Sequence, residues 1–297
     1  MSKLIHFDEV RNNNLKSTIL ILFFFLLVGA IGYIVGLLWD NIALGIILTL
    51  IFGLIYTLIV WFAGKNMLMA LAGAKEVTKK EYPFLYHTVE GLSISAGIPT
   101  PKCYVIDSPA LNAFATGRNP KEGAVAVTTG LMDKLNREEL EGVLAHEVAH
   151  IKNYDIRTMM LAAILVGVVV LLSDFFLRSM IWGGGSRNRD GKAQLIMIVA
   201  GLVLAILAPI IANMIKLAIS RKNEYAADAR AAVITRNPKA LASALRKITK
   251  DPNELQVSNA TAHMYIGNPN KKKTSWFRNL FSTHPPSEER IRRLESM

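Results

Sequence analysis

The strongest pattern in the chain is a pair of long apolar runs close to its start. Residues 17–39 and 41–64 contain no charged side chain, and a helix that crosses a bilayer needs about 20 such residues. The two runs meet at Asp40, so they predict a tight transmembrane hairpin. A cleaved signal peptide is the alternative interpretation of the first run, but a long polar leader precedes it and a second apolar run follows at once.

Two further apolar runs, residues 159–177 and 195–215, predict a second hairpin. The linker between them has four basic residues, and Asp174 lies near the end of the third run. Basic residues are unfavourable in outer loops, and a charge inside a span is costly. Two long apolar helices that do not cross are therefore the alternative, although we expect these runs to span.

The polar stretches on either side of the second hairpin have the pattern of a domain that mixes helices and strands. Residues 74–98 predict a helix, and two more helices are predicted near residues 219–234 and 238–249. Three short β-like runs follow the first helix, with glycine and proline between them. These runs are 103–106, 113–115 and 124–128.

Composition supports a membrane protein with a polar part. The chain is 52% hydrophobic and 19% charged, and its 34 lysines and arginines outnumber 23 acidic residues, for a net charge of +11. Such an excess is typical of cytoplasmic loops beside anionic lipid, and no aromatic-basic pattern indicates nucleic acid as a partner. The single cysteine, Cys103, excludes an intramolecular disulfide and a thiolate metal site.

The distribution of basic residues predicts the orientation of the first hairpin. Lysine and arginine occur before the first run and directly after the second, whereas the turn between the runs has neither. The positive-inside rule therefore predicts that the N-terminus and residues 65–155 lie in the cytoplasm.

The candidate chemistry begins at His146-Glu147-Val148-Ala149-His150, inside a helical pattern that Asn136 and Glu139 can cap. Two histidines four residues apart lie on one face of a helix. They can hold one Zn²⁺, while Glu147 acts as the general base. A surface salt bridge is the ordinary alternative for Glu147, and this motif disfavours it.

A catalytic zinc site has three protein ligands and an open position, so a third ligand is needed. Glu224 is the best candidate, because a carboxylate on a second helix can complete a set of two histidines and one glutamate. Asp228 lies one turn further on the same face and can accept the N–H of a liganding histidine, which we expect to be His146. A solvated helix face is the usual place for such carboxylates, and only the histidine pair favours the ligand role.

Two weaker candidates lie outside these helices. His284, which precedes Pro285 and Pro286, could stabilise the oxyanion of a tetrahedral intermediate, with an ordinary loop residue as the alternative. The run Asn112-Ala113-Phe114-Ala115 could form an exposed strand that pairs with an extended peptide, although the residues alone favour an ordinary strand. Asp155, just past the histidine helix, is predicted to be structural.

Taken in order along the chain, these features resemble the HtpX family of bacterial heat-shock membrane proteases, zinc metallopeptidases related to the CaaX prenyl proteases. The His-Glu-x-x-His pentapeptide is shared by many zinc peptidases, whereas the combination is far more specific and covers nearly the whole chain. The features are the first hairpin, the run 112–117, the pentapeptide, the second hairpin, Glu224 with Asp228, and the segment 283–286.

The resemblance implies an enzyme of the bacterial cell membrane with two spanning hairpins and an active site that faces the cytoplasm. It implies a single Zn²⁺ and cleavage of misfolded or damaged membrane proteins. It also implies a role in the stress response beside other membrane quality-control proteases, and self-cleavage. The run Asn112-Ala113-Phe114-Ala115 resembles the family's substrate-pairing edge strand, which implies a role in substrate binding.

We therefore expect an α+β fold: a mainly helical integral membrane protein with a gluzincin-like zinc peptidase domain that carries a small β-sheet. Two alternatives stay open, a CaaX-type protease that acts on prenylated peptides and a non-proteolytic metal-binding membrane protein. Transport is disfavoured because the first two apolar runs have no ionisable residue. The expected segments are a transmembrane hairpin (1–64), a catalytic domain in two parts (65–158 and 216–297), and a second transmembrane hairpin (159–215).

Overall fold

The computed structural model describes residues 2–38, 40–162, 221–253, 265–266 and 285–297. His284 and nearly all of the predicted second hairpin lie outside the described residues.

The first predicted hairpin is present as two long helices. Helix α1 (Ser2–Leu38) and helix α2 (Ile42–Leu71) are joined at Asp40, whose φ of 55° reverses the chain. Asn41 then caps α2 by accepting a hydrogen bond from the backbone N–H of Leu44. Two stretches, Arg11–Ile34 and Ile42–Leu71, are long and apolar enough to cross a membrane. The polar leader is helical too, so α1 extends well beyond its apolar run.

The two helices approach closely where glycines face each other. A Cβ atom at Gly45 would lie 2.5 Å from the Cα of Gly36 and 2.5 Å from the carbonyl oxygen of Gly32. Real Cβ atoms do not come this close to backbone, so these positions must lack a side chain if the helices are to pack as they do.

A small mixed sheet follows the hairpin, and its strands confirm the three predicted β-like runs. The four strands are β1 (Ala74–Glu76), β2 (Lys102–Ile106), β3 (Ala113–Thr116) and β4 (Ala124–Thr128). Strands β2 and β4 are parallel, and the two edge strands are antiparallel to their neighbours in the order β1-β2-β4-β3.

The prediction of one helix over residues 74–98 is wrong at its start. Residues 74–76 form the edge strand β1, and helix α3 covers only Pro83–Ala96. Gly73, with a φ of +65°, separates this strand from α2, and Pro83 occupies the first turn of α3, where its missing N–H costs nothing. The charged residues of this short edge strand also fit the polar face of a helix, and the pattern therefore predicted a helix there.

Three of the remaining described helices confirm predicted segments, and two short ones were not predicted. A short 3₁₀ turn lies at Pro120–Glu122. The helices after it are α4 (Thr129–Lys134), α5 (Arg137–Lys152), α6 (Arg221–Thr235), α7 (Pro238–Lys250) and α8 (Ser287–Glu295). Helices α5, α6 and α7 correspond to predicted helices, whereas α4 and α8 were not predicted. Residues 155–162 are helical as well.

Helix α5 lies at the centre of the domain. Val143, Leu144 and Val148 are completely buried and belong to an apolar core with Val127 of the sheet and Leu241 of α7. Both polar parts of the chain thus share one core. A mainly helical fold with a small sheet is confirmed, whereas the segment boundaries at 64, 158 and 215 stay a prediction.

Gly45→Ala should destabilise the hairpin by about 1–3 kcal/mol, the usual cost of overpacking, because backbone atoms of α1 occupy the space that the new methyl group needs. Thermal unfolding of the full chain in detergent measures the loss. Gly29→Ala is the matched control, since among the described residues no atom of another part of the chain lies within 4 Å of the methyl group that it adds. Equal losses at both positions would contradict a close contact at Gly45.

Candidate metal centre

The start of helix α5 is set by its own side chains, as the sequence predicts. Asn136 Oδ1 accepts from the backbone N–H of Glu139 at 2.8 Å, and Glu139 Oε2 accepts from the N–H of Asn136 at 2.9 Å. This capping box is tied to α7, because Lys247 and Ser243 both donate to the Glu139 carboxylate. The contacts fix where α5 begins and how it sits against α7.

The two histidines of α5 point the same way and are buried. His146 Nε2 and His150 Nε2 lie 3.1 Å apart, as expected for positions four residues apart on one helix face. Their exposed fractions are 1% and 3%, so the rings are held inside the protein with their far nitrogens together.

Glu224 comes from α6 and completes a three-residue cluster. Its Oε2 lies 3.8 Å from His146 Nε2, and its Oε1 lies 3.5 Å from His150 Nε2. The ligand atoms of a tetrahedral zinc site with bonds of about 2.1 Å are roughly 3.4 Å apart. The three side chains therefore fit a zinc ion by chemistry and by spacing, and their ligand atoms all lie within 4.8 Å of one another.

Each histidine meets a carboxylate through its other ring nitrogen. His146 Nδ1 lies 3.0 Å from Asp228 Oδ1, the pair that the sequence suggested, and His150 Nδ1 lies 2.8 Å from Asp155 Oδ2. Such contacts fix the orientation and tautomer of metal-binding histidines. Both rings are thus aligned by carboxylates that do not themselves belong to the metal cluster.

The contact between Asp155 and His150 was missed in the sequence, where Asp155 is assigned only a structural role. Helix α5 ends at Lys152, and Tyr154 has a φ of 62°, which turns the chain back toward the helix. A left-handed conformation is uncommon outside glycine. No periodicity in the sequence indicates this left-handed residue. The only signal for the contact is an aspartate five residues after the second histidine, which can reach that ring once the chain reverses direction.

Arg290 of α8 is the second residue that sequence reasoning missed. Its Nε and Nη2 donate to the two oxygens of Asp228 at 2.8 and 2.7 Å, and its Nη1 lies 3.3 Å from Glu224 Oε2. The side chain is 1% exposed. Nothing in the sequence distinguishes it from Arg292 and Arg293, which are exposed and contact Glu289.

Electrostatics differ around the two rings. Burial and the Arg290 guanidinium lower the pKa of His146 to about 4. Burial alone would lower the pKa of His150 too, but its contact with Asp155 and the charges of Glu224 and Glu147 raise that pKa to about 9. The negative surroundings of His150 favour a cation at this place.

Asp228 and Arg290 form a buried ion pair beside the cluster. Burial raises the pKa of Asp228, but the charge and hydrogen bonds of Arg290 outweigh this effect and bring it to about 2. Burial alone would lower the pKa of Arg290, but the charge and hydrogen bonds of Asp228 raise it above its usual value. Asp228 is therefore an anion, and Arg290 offsets its charge where water cannot.

Glu147, the proposed general base, lies on α5 between the two histidines and is 2% exposed. Its charge acts on both His150 and Arg290, so the carboxylate lies within the electrostatic reach of the centre. A solvent-exposed salt bridge, the ordinary alternative for this residue, does not fit such burial.

The strand that the sequence suggested for peptide pairing is at the edge of the sheet but is not exposed. Asn112 and the next three residues are 0–3% exposed. Ile266 N–H donates to the carbonyl oxygen of Ala113 at 3.0 Å, and Phe114 packs edge-to-face on Tyr265 with ring centroids 4.8 Å apart. A segment of the same chain thus covers part of the edge, and the strand is buried, as the residues alone favoured; its role in peptide pairing stays a prediction.

Comparisons with known proteins find peptidases that are similar to this chain over most of its length. A model of peptidase family M48 matches residues 79–297. The chain is 44% identical to a protease HtpX homolog of Streptococcus thermophilus and 46% identical to one of Streptococcus mutans, over 98% of this chain and 99% of each relative. The match to the crystal structure of S. mikatae Ste24p covers 99% of this chain and 67% of the Ste24p chain, with a TM-score of 0.52 and 20% sequence identity.

Arg290→Met should destabilise the protein by about 3–5 kcal/mol, because it leaves the buried Asp228 carboxylate without its main counter-charge. The measurement is the thermal unfolding midpoint of the full chain in detergent with a chelator present. Arg292→Met is the control, since that side chain is 77% exposed and its ion pair contributes little. A similar midpoint for both variants would contradict the role of Arg290 as a buried counter-ion.

Proposed function

The chain belongs to peptidase family M48 and is a membrane metallopeptidase, and from this premise we propose that it is a zinc endopeptidase that cleaves misfolded or damaged membrane proteins. The observation that carries the proposal is the buried cluster of His146, His150 and Glu224, with a carboxylate behind each histidine. The HtpX relatives support a role in protein quality control under stress, beside other membrane proteases.

His146, His150 and Glu224 would hold the zinc ion. When bound, zinc supplies a Lewis acid that polarises the scissile carbonyl and lowers the pKa of a water molecule. Asp228 and Asp155 keep the two imidazoles aligned, and Arg290 neutralises Asp228. The donor set of two histidines and one carboxylate favours zinc over harder ions such as Mg²⁺.

Glu147 acts as the general base and acid. It takes a proton from the attacking water and passes it to the leaving amine, so its carboxylate must be beside the cluster and shielded from bulk solvent. Burial of Glu147 next to His146 supports this role. A lysine or arginine ion pair on the surface would instead hold the carboxylate away from the reacting atoms.

The substrate backbone would lie along β3. In this antiparallel pair, the backbone groups of Ala113 and Ala115 face away from β4, so they can pair with an extended peptide. Ile266 already uses the Ala113 carbonyl oxygen, and a substrate must therefore extend or replace this contact. Asn112 accepts from the N–H of Ala113 with its own side chain, which holds the strand end in place.

His284 remains our candidate for stabilising the oxyanion. It precedes α8 by three positions in the sequence, and α8 carries Arg290 to the metal centre. His284 itself lies outside the described residues, so this role rests on its place in the sequence.

The site would face the cytoplasm at the bacterial cell membrane of a multi-pass protein. The lysine and arginine distribution of the first hairpin supports this orientation. The domain follows α2 directly, and Arg118 and Arg157 both lie over the ring of Trp61 near the end of that helix. Aromatic and basic residues together are typical of the interfacial region.

Glu147→Gln should abolish cleavage of casein and of a destabilised membrane protein while zinc stays bound, because the amide cannot take the proton. Activity of purified full-length protein in detergent is measured with and without a chelator. Glu141→Gln, an exposed position on the same helix, should keep full activity.

Wild-type activity in Glu147→Gln, or cleavage that a chelator does not affect, would sink the proposed mechanism. Cleavage of a prenylated peptide but of no unfolded protein would instead favour a CaaX-type enzyme. No cleavage of any of these substrates by zinc-loaded wild-type protein would favour a non-proteolytic metal-binding protein.

Glu224→Ala should lower zinc affinity by at least about 10-fold, since it removes one of three ligands from the site. Metal content after dialysis against a weak chelator measures the effect, and Glu141→Ala is the control. Full retention of zinc by Glu224→Ala would show that another residue is the third ligand.

A further inference from the structure

A buried polar cluster connects the first membrane helix to the domain. Its members are Asn13 and Ser17 of α1, Asp155 and Thr158 of the helical residues 155–162, and Asn223 of α6. Each of these side chains is at most 9% exposed. Buried polar groups need hydrogen-bond partners, and here the partners come from three separate parts of the chain.

Asn13 uses its whole side-chain amide in this cluster. Its Nδ2 donates to the carbonyl oxygen of Asn153 at 2.9 Å and to Asp155 Oδ1 at 2.5 Å. Its Oδ1 accepts from Asn223 Nδ2 at 3.1 Å. Asn13 lies within the stretch Arg11–Ile34, which is long and apolar enough to span a membrane.

Asp155 divides its two oxygens between this cluster and the metal centre. Oδ1 accepts from both Asn13 and Asn223, the latter at 2.6 Å, while Oδ2 lies 2.8 Å from His150 Nδ1. Two donors on one oxygen fix the rotation of the carboxylate and stabilise its charge. The other oxygen is thereby aimed at the histidine.

We propose that Asn13 is a positioning residue for the metal centre, which it reaches from the membrane helix by holding the Asp155 carboxylate against His150. This inference rests on the proposed function, because His150 is taken to be a metal ligand. Outer partners of metal-binding histidines commonly contribute 10–100-fold to metal affinity, and Asn13 acts one step further out. If the hydrogen bonds of Asn13 only attached α1 to the domain, their loss would lower the stability of the protein without changing its zinc affinity.

Asn13→Ala should raise the zinc dissociation constant of the full-length protein in detergent by about 10-fold. The constant is measured by competition with a chromophoric chelator, and thermal unfolding of the metal-free protein is recorded beside it. The chain offers two matched controls on the same helix. Asn12 is exposed, and Asn14 joins α1 to the domain through Arg157 Nη1 at 2.9 Å without touching Asp155.

A double-mutant cycle tests whether Asn13 acts through Asp155. Asp155→Ala should itself weaken zinc binding, and Asn13→Ala should then add almost nothing, because the carboxylate that it positions is gone. If Asn13→Ala does not fold, Asn13→Asp keeps the volume, removes the amide donor and should raise the dissociation constant similarly.

Three results would overturn the inference. They are an unchanged dissociation constant in a folded Asn13 variant, equal effects of Asn13→Ala and Asn14→Ala, and fully additive losses in the cycle. Tight zinc binding by the wild type that Asn13→Ala leaves unchanged would overturn this inference alone. A wild-type protein that binds no zinc would overturn both this inference and the proposed function.

Discussion

The burial of several carboxylates around two histidines is the constraint on which the rest of this structure depends. Glu147, Asp155, Glu224 and Asp228 are all at most 3% exposed, and charges removed from water are costly unless they are paired and hydrogen-bonded. Arg290 offsets one of these charges, and the surroundings of His150 favour a further cation. The helices, caps and turns of the domain can be understood as the means of holding these groups in one place.

The side chains of the metal centre come mainly from two helices, and each helix contributes a pair of residues with the same spacing. His146 and His150 on α5 are four residues apart, and so are Glu224 and Asp228 on α6. In each pair the two side chains lie on one face. Helices α5 and α6 pack directly against each other. Glu224 therefore lies close to both imidazoles, and Asp228 contacts the other ring nitrogen of His146. The capping box at Asn136 fixes the start of α5, which determines where along the interface its histidines fall.

Local pattern was enough to predict most of this arrangement, and chain reversals account for what it missed. The hairpin, three strands, the capped helix and the spacing of the His-Glu-x-x-His pair are periodic features within short segments. Asp155 reaches His150 only because Tyr154 is left-handed, and Arg290 reaches Asp228 across 62 positions of the sequence. The cover of Tyr265 and Ile266 on β3 is equally non-local. Contacts of this kind arise from tertiary packing, which no window of sequence contains.

The position of the centre relative to the apolar runs has a physical consequence for substrates. Asp155 lies four residues before the third apolar run begins at 159, and Asn223 lies eight residues after the fourth ends at 215. The side chains of both meet that of Asn13, next to the start of the first span. Three places where the chain passes between polar and apolar sequence therefore converge beside His150. Under the proposed function, this convergence would place the metal ligands near the surface of the bilayer, where a polypeptide leaving the membrane would first become available for cleavage.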